Sequence, residues 1–171
     1  MRPLALLALV VAVIAGGCGD SGPEAPRLAA AVTRCTDSFC IAYPEGWEVV
    51  EATADFVSLR HPDAPEQVLA TAGRINMEGI VTAAGKTWPQ TTDAVVRSFW
   101  EIIDGGGAEL ATIDPLQDGS VVSFGTFAGG RLWWRLTPVE GRNAIGVEVR
   151  APNSTWADHA DAILSSVTLL P

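Results

Sequence analysis

The stretch SVVSFGTFAGGRLWWRLTPVEGRNAIGVEVRA, residues 120–151, decides the fold of this chain. It contains three apolar segments, residues 120–127, 131–138 and 144–151, which are joined by short links rich in glycine. Links this short cannot form the long crossover that parallel strands require. The segments are therefore predicted to form an antiparallel meander whose side chains alternate between the two faces of a sheet.

Four further strands are predicted before the meander. Pro44 and Gly46 are placed as in a type I turn, so the segments on either side of them are predicted to pair as an antiparallel hairpin. The four apolar segments lie at residues 39–43, 47–51, 56–60 and 67–77.

An amphipathic helix is predicted between these strands and the meander, over residues 94–103. Thr92 or Asp93 is placed to cap its N terminus. The glycines at residues 105–107 follow the helix, so they predict its C-terminal stop and a turn into another strand, not a phosphate-binding loop. The apolar residues at helical spacing are Val95, Val96, Phe99, Ile102 and Ile103.

A second amphipathic helix is predicted at the C-terminal end. Asn153 begins an Asn-x-Thr sequon, which is interpreted as a helix cap and not as a glycan site. The whole order, β-β-β-β-α-β-β-β-β-α, predicts a single α+β domain in which an antiparallel sheet is flanked by helices. The apolar stripe of the last helix is Trp156, Ala160, Ile163, Leu164 and Val167.

Three segments of this chain resemble the PsbP-like superfamily. They read FCIAYPEGWEVVE at residues 39–51, GRLWWRLTPVEGRNAIGVEV at residues 130–149 and WADHADAILSSVTL at residues 156–169. The superfamily includes the PsbP protein of photosystem II, the Mog-type Ran-release factors and many exported bacterial lipoproteins. The resemblance covers roughly residues 35–171 and implies an α/β/α sandwich. It implies no catalytic residues, because such proteins act as binding or assembly factors.

The N-terminal residues have the layout of a secretory signal. Arg2 precedes an unbroken apolar run at residues 4–14. At about 1.5 Å per residue this run is too short to span a hydrocarbon core of ~30 Å. The Ala15-Gly16-Gly17-Cys18 segment that follows resembles a bacterial lipobox, in which the cysteine is acylated and becomes the mature N terminus.

This resemblance predicts where the protein is located and how its chain is divided into segments. The chain is predicted to have a lipoprotein signal peptide at residues 1–17, a lipid anchor at Cys18, a flexible tether at residues 18–33 and a globular domain at residues 34–171. Two acyl chains anchor a protein durably, so we expect an exported protein on the outer face of the cell membrane. If the cysteine is not acylated, the alternative is an ordinary secreted protein.

The three cysteines are accounted for by one lipid anchor and one disulfide. With Cys18 acylated, Cys35 and Cys40 remain as a pair across a turn-prone segment, and an oxidising compartment favours a disulfide between them. Their four-residue spacer differs from the Cys-x-x-Cys of redox motifs, and neither histidine lies nearby in sequence to complete a metal site. The pair is interpreted as structural, and no metal or other cofactor is predicted.

The charge of the chain limits its partners. The formal net charge is -9, and no cluster of basic residues is present in the sequence, so nucleic acid is not an expected partner. The membrane is expected to be reached through the lipid anchor instead. Arginine greatly outnumbers lysine, and alanine, glycine and valine abound, which indicates a GC-rich and, by our interpretation, actinobacterial genome.

Candidates for catalysis are few. His159 as a general base would need a nucleophile and an orienting acid, but Asp158 and Asp161 do not face it on a helix. His159 is therefore predicted to lie on a solvated helix face, and His61 in a loop. The sequence contains no Gly-x-Ser-x-Gly, His-Glu-x-x-His or Ser-x-x-Lys motif. A non-catalytic protein is predicted, with an envelope hydrolase as the alternative.

The candidate binding surface lies in the middle of the meander. Leu132 and Trp134 share one face of their strand, which leaves Trp133 beside Arg131 and Arg135 on the other face. A tryptophan between two arginines can stack on a planar ligand or anchor a partner protein. The alternative is that a helix buries the tryptophan and an arginine stem lies over it. We predict a binding or assembly protein whose partner is an unidentified envelope protein or small ligand.

Overall fold

The computed structural model of the chain describes residue 27 and residues 29–171. The strands within this part are β1 (Ala31–Cys35), β2 (Phe39–Pro44), β3 (Glu48–Ala52), β4 (Phe56–Arg60), β5 (Leu69–Asn76), β6 (Glu109–Pro115), β7 (Val121–Phe127), β8 (Gly130–Pro138), β9 (Asn143–Ala151) and β10 (Thr168–Leu169). The helices are α1 (Met77–Ala83), α2 (Thr92–Asp104), a short 3-10 helix (Ser154–Trp156) and α3 (Ala157–Ser165).

The strands form two antiparallel sheets. The larger sheet has seven strands in the order β3-β4-β5-β9-β8-β7-β6, and the smaller sheet has three in the order β1-β2-β10. Strands β7, β8 and β9 pair with their neighbours in sequence, so the meander predicted from residues 120–151 is confirmed. The predicted α+β fold class, with an antiparallel sheet flanked by helices, is confirmed as well.

The larger sheet is buried on both faces where β8 and β9 cross its centre. Leu132, Trp134 and Leu136 pack with α1 and α2 on one face. Trp133 and Val147 pack on the other face with β2 and α3. Because side chains alternate along a strand, a strand that is covered on both faces reads as a nearly continuous apolar run. This explains the Leu-Trp-Trp sequence of β8.

The turn after β2 leads from the smaller sheet to the larger one. The Trp47 amide donates to the Pro44 carbonyl over 3.3 Å, and Gly46 has a φ of +96°, as the third residue of a type II turn does. The predicted type I turn is therefore wrong, because a left-handed glycine at this position requires type II. β2 pairs with β1 and β10 whereas β3 pairs with β4, so the predicted hairpin between β2 and β3 is wrong. Phe39 and Ile41 are fully buried, because β2 lies across the face of the larger sheet and not beside its strands.

The helix α2 differs from its prediction at its start and along its buried stripe. Thr92 and Asp93 lie inside the first turn, and the N-cap residue is Thr91, whose side chain makes no capping bond. The predicted cap is therefore wrong. Trp100 is buried, whereas Ile102, which was predicted to be in the apolar stripe, is 43% exposed. The Trp100 indole donates to the Ser123 hydroxyl, so the buried side of the helix faces β7.

The glycines after α2 end the helix as predicted. The Gly106 amide donates to the Ile103 carbonyl over 2.9 Å, and the Gly107 amide donates to the Asp104 carbonyl over 2.7 Å. Gly107 has a φ of +83°, a left-handed conformation that glycine adopts without a steric cost. The chain then enters β6.

Three elements extend the predicted order. β1 begins at Ala31, so its first residues fall within the segment predicted as a tether. The helix α1 follows β5 directly, and the Asn76 side chain caps it by accepting a hydrogen bond from the Gly79 amide over 3.1 Å. The two-residue strand β10 adds an edge to the smaller sheet. Each is too short or too exposed to give a clear periodic pattern.

The β1–β2 hairpin carries the predicted disulfide. Cys35 and Cys40 lie opposite each other in the strand register and are bonded, with a Cα–Cα distance of 4.0 Å. The predicted pairing is therefore confirmed. The predicted signal peptide at residues 1–17, the Cys18 anchor and most of the tether lie outside the described residues.

No helix in the described part of the chain is long and apolar enough to cross a membrane.

Candidate functional site

Trp133 does not form an exposed binding surface. Its side chain is 6% exposed and stacks on Phe124, with ring centroids 5.2 Å apart, in the part of the core that α3 covers. The predicted surface centred on this tryptophan is therefore wrong. The physical reason is the one given as the alternative: both faces of β8 are covered, and each face needs large apolar side chains to fill it.

Arg135 holds α3 and the β6–β7 turn in place. Its guanidinium donates to the Leu164 carbonyl over 3.1 Å and to the Asp118 carboxylate over 2.8 Å. The hydrogen bonds from the Ser120 hydroxyl and amide lower the pKa of Asp118, burial opposes them, and Arg135 lowers the pKa further. Arg135 therefore connects two layers of the structure.

Arg131 lies beside an open cleft at one end of the larger sheet. The cleft has a volume of about 320 Å³, and loop residues 66–67, the turn between β7 and β8, and the end of β9 line it. On its sheet side the Arg150 guanidinium lies over the Phe127 ring, 4.9 Å from the ring centroid, and is paired with the Glu148 carboxylate. This places a cation and an aromatic ring together at the cleft, and Glu148 is the ion-pair partner of the cation.

The turn between β7 and β8 forms the rim of this cleft. Phe127 pairs with Gly130, and the two residues between them, Ala128 and Gly129, have φ values of 50° and 81°. Two left-handed residues in a two-residue loop are typical of a type I′ hairpin. Ala128 and Gly129 are both exposed, so no large side chain covers this rim.

A cluster of four rings packs against the β4–β5 loop, whose residues 66–67 line the cleft. Trp47, which follows the β2 turn, contacts His61 of the β4–β5 loop, with ring centroids 5.7 Å apart. Trp156 of the 3-10 helix lies 5.0 Å from His61 and 5.2 Å from His159 of α3. We call these four residues the Trp–His cluster. It joins three parts of the chain that are distant in sequence: the turn after β2, the β4–β5 loop, and the 3-10 helix with α3.

His159 is buried in this cluster, at 3% exposed. The prediction that it lies on a solvated helix face is wrong. His159 follows Trp156 by three residues and precedes Ile163 by four, so the three side chains share one side of the helix and all face the core. That spacing is the signal that sequence reasoning missed.

His61 is also buried, at 7% exposed, and its protonation state follows from its contacts. The Asp63 amide donates to the His61 Nδ1 over 3.3 Å, so Nδ1 carries no proton. Burial lowers the pKa of His61 below its usual value of 6.5, the Asp63 carboxylate raises it, and the neighbouring His159 lowers it. The imidazole is therefore held in its neutral form near neutral pH.

Candidate metal ligands do not come together in the described part of the chain. Among residue 27 and residues 29–171, no group of three histidine, cysteine or acidic side chains has the geometry to hold a metal ion.

Comparison with solved structures shows the fold. The solution structure of cyanobacterial PsbP from Synechocystis sp. PCC 6803 matches with a TM-score of 0.54 and 16% identity, over 91% of this chain and 100% of that one. A crystal structure from Bacteroides thetaiotaomicron matches with a TM-score of 0.43 and 14% identity, over 78% of this chain and 45% of that one. No protein-family model matches the sequence, and no curated protein does at a significant level. The PsbP-like fold that the sequence resemblance implies is therefore confirmed.

Proposed function

We propose that this protein is a lipoprotein of the bacterial cell envelope, acylated at Cys18, whose PsbP-like domain works by binding and not by catalysis. The cleft at the end of the larger sheet is the binding site, and its partner is an envelope protein or a small ligand. The observation that carries the binding role is this cleft, where Arg150 lies over Phe127 beside the exposed Ala128–Gly129 turn.

The anchor is supported by the sequence before the domain. The Ala15-Gly16-Gly17-Cys18 segment resembles a lipobox, and β1 begins only at Ala31. The intervening residues reach at most about 45 Å when fully extended. The disulfide between Cys35 and Cys40 suits an oxidising compartment outside the cytoplasm. These features favour a domain held close to the outer surface of a membrane.

Replacing Cys18 by serine is expected to move the protein from the membrane fraction to the soluble fraction, because the acyl chains supply the anchor. The measurement is fractionation of the source cells, together with labelling by a fatty-acid analogue. The matched control replaces Cys35 and Cys40 by serine and leaves Cys18 unchanged; this variant should stay labelled and membrane-bound. Unchanged membrane retention and labelling of the Cys18→Ser protein would contradict the anchor.

The binding role is supported by the chemistry of the cleft. A guanidinium over an aromatic ring offers a cation and a flat apolar surface at the same place, and such residues dominate many binding interfaces. The side chain of Arg150 is 45% exposed, so it remains accessible although it is paired with Glu148. The PsbP-like proteins that the sequence resembles, the Mog-type group among them, act as binding or assembly factors.

The binding role is tested by affinity capture of the full-length lipoprotein from its own membrane, followed by mass spectrometry. A true partner should be captured by the unaltered protein and reduced about tenfold or more by Phe127→Ala with Arg150→Ala, because central aromatic and arginine residues carry most binding energy. The matched control is Arg142→Ala. Arg142 is also an exposed arginine paired with a glutamate, but it lies in the turn at the opposite end of β8.

The outcomes separate specific from adventitious capture. A species lost with the cleft variant and kept with the control supports binding at the cleft. If every captured species is retained equally by both variants, the cleft is not the binding site.

A further inference from the structure

His61 fixes the loop that joins β4 to β5. The loop closes on itself through the His61 amide and the Val68 carbonyl, which lie 3.1 Å apart, and through the Ala64 amide, which donates to the His61 carbonyl over 3.2 Å. Ala64 and Val68 are buried with the Trp–His cluster in the same part of the core. The imidazole also holds the loop, because its Nδ1 accepts a hydrogen bond from the Asp63 amide.

Protonation of His61 breaks the hydrogen bond between its Nδ1 and the Asp63 amide. Once Nδ1 carries a proton it is a donor, and it then faces the Asp63 amide, which is also a donor. The cation would also be buried between the Trp47 and Trp156 rings, where burial disfavours charge. The charged and titratable groups that act on it are Asp63 on its own loop, which favours the cation, and His159 on α3, which opposes it.

The Trp47 indole does not compensate for this loss. Trp47 is 6% exposed, and its Nε1 has no hydrogen-bond acceptor among the described residues. A buried donor in this situation gains a hydrogen bond when water reaches it. The closed position of Trp47 is therefore not stabilised by a hydrogen bond from its indole to the described residues.

The same loop forms a wall of the cleft. Glu66 and Gln67 line the cleft directly, and the Gln67 amide is tied to the Ala64 carbonyl over 3.0 Å. Leu69, the first residue of β5, also lines it. His61 and these lining residues belong to one short loop with internal hydrogen bonds. A displacement of His61 therefore also moves the wall of the cleft.

We propose that the loop at residues 61–68 is an acid-sensitive wall of the cleft, which is released when His61 is protonated. The cleft is then remodelled at acidic pH while the sheet stays folded. The effect of this release on binding rests on the proposed function. The release itself depends only on the loop and the Trp–His cluster.

The test is amide hydrogen exchange of the full-length protein in detergent, followed from about pH 7.5 to about pH 5.5. The probes are the Ala64, Gln67 and Val68 amides, and the amides of β8 and β9 are the internal reference. After correction for intrinsic exchange, protection of the loop should fall by up to about tenfold per pH unit below pH 6.5, because the open loop takes up a proton that the closed loop refuses. Loop protection that follows the reference at every pH overturns the proposal.

His61→Asn supplies the matched variant. Asparagine keeps an acceptor for the Asp63 amide and does not titrate, so loop protection relative to β8 and β9 should become independent of pH. If the acid-dependent loss persists unchanged in His61→Asn, the loop is not controlled by His61. The measurement on the unaltered protein decides the matter even if the variant does not fold.

Failure of this device and failure of the proposed function give different results. If the loop opens with acid but no captured species depends on Phe127 and Arg150, the binding proposal fails and the acid-sensitive loop stands. If such a species exists but loop exchange is independent of pH, the acid-sensitive loop fails and the binding proposal stands. Capture at about pH 7.5 and at about pH 5.5 then shows whether the release alters binding.

Discussion

Replacing Gly125 by alanine is expected to lower the free energy of unfolding by roughly 3 kcal/mol, a large effect for one methyl group. An added Cβ would lie 2.1 Å from the Glu109 carbonyl oxygen and 2.7 Å from the ring of Trp100. The oxygen belongs to the neighbouring strand β6 and cannot retreat without disturbing its pairing with β7. The indole is fixed as well, because its Nε1 donates to the Ser123 hydroxyl over 3.0 Å.

The measurement is urea-induced unfolding followed by circular dichroism, with Gly105→Ala as the matched control. Gly105 has a φ of -56°, and the nearest atom to an added Cβ is 4.0 Å away. That alanine should leave the midpoint unchanged or raise stability by about 0.5 kcal/mol, since it restricts the unfolded chain without a clash. Equal midpoints for the two variants would show that β6, β7 and α2 are not packed as closely as described.

The contact at Gly125 also shows why the fold was more predictable than its details. Local patterns gave the strands of the meander and both long helices, because the period of the apolar residues is a property of each segment alone. Trp100 and Gly125 form a complementary pair across two layers, which no single segment reveals. On the same helix Ile102 is exposed, whereas Trp100, which is absent from the predicted stripe, is buried.

The assignment of β2 depended on tertiary structure in the same way. The residues around Pro44 and Gly46 predict a turn, and the structure has one. Whether the flanking strands then pair or separate into two sheets depends on what Phe39 and Ile41 bury against. Apolar side chains at alternate positions are compatible with both arrangements, so the sequence left the choice to packing.

The candidate site was predictable only in part. The alternation in β8 correctly separated Trp133 from Leu132 and Trp134, but it carried no information about which face is covered. The Trp–His cluster combines a turn, a loop and a helix, and its members are more than ten residues apart except for Trp156 and His159. Only that helical pair had a signal within the sequence.

Trp156→Ala is expected to lower the free energy of unfolding by about 4 kcal/mol, because it removes a large core side chain that is 1% exposed. Trp156→Phe is the matched control. Phenylalanine keeps a ring against His61 and His159 and leaves a smaller cavity, so the loss should be less than half as large. The measurement is again urea unfolding at neutral pH. Similar losses for both variants would contradict this, because they would mean that a ring packed against His61 and His159 does not by itself stabilise the cluster.

The pH dependence of these two variants tests the cluster more sharply than their stability does. In the unaltered protein the pKa of His61 lies below its usual value of 6.5, so the unfolded chain binds the proton first as the pH falls. The contribution of His61 to stability is therefore full above pH 6.5 and declines below it until the pKa of the folded state is passed. Trp156→Ala admits water to the imidazole, moves its pKa back toward 6.5 and should flatten this decline, whereas Trp156→Phe should preserve it. A decline of equal slope in both variants would assign the acid sensitivity to a group other than His61, because removing the ring that buries His61 would then have left the proton uptake of unfolding unchanged.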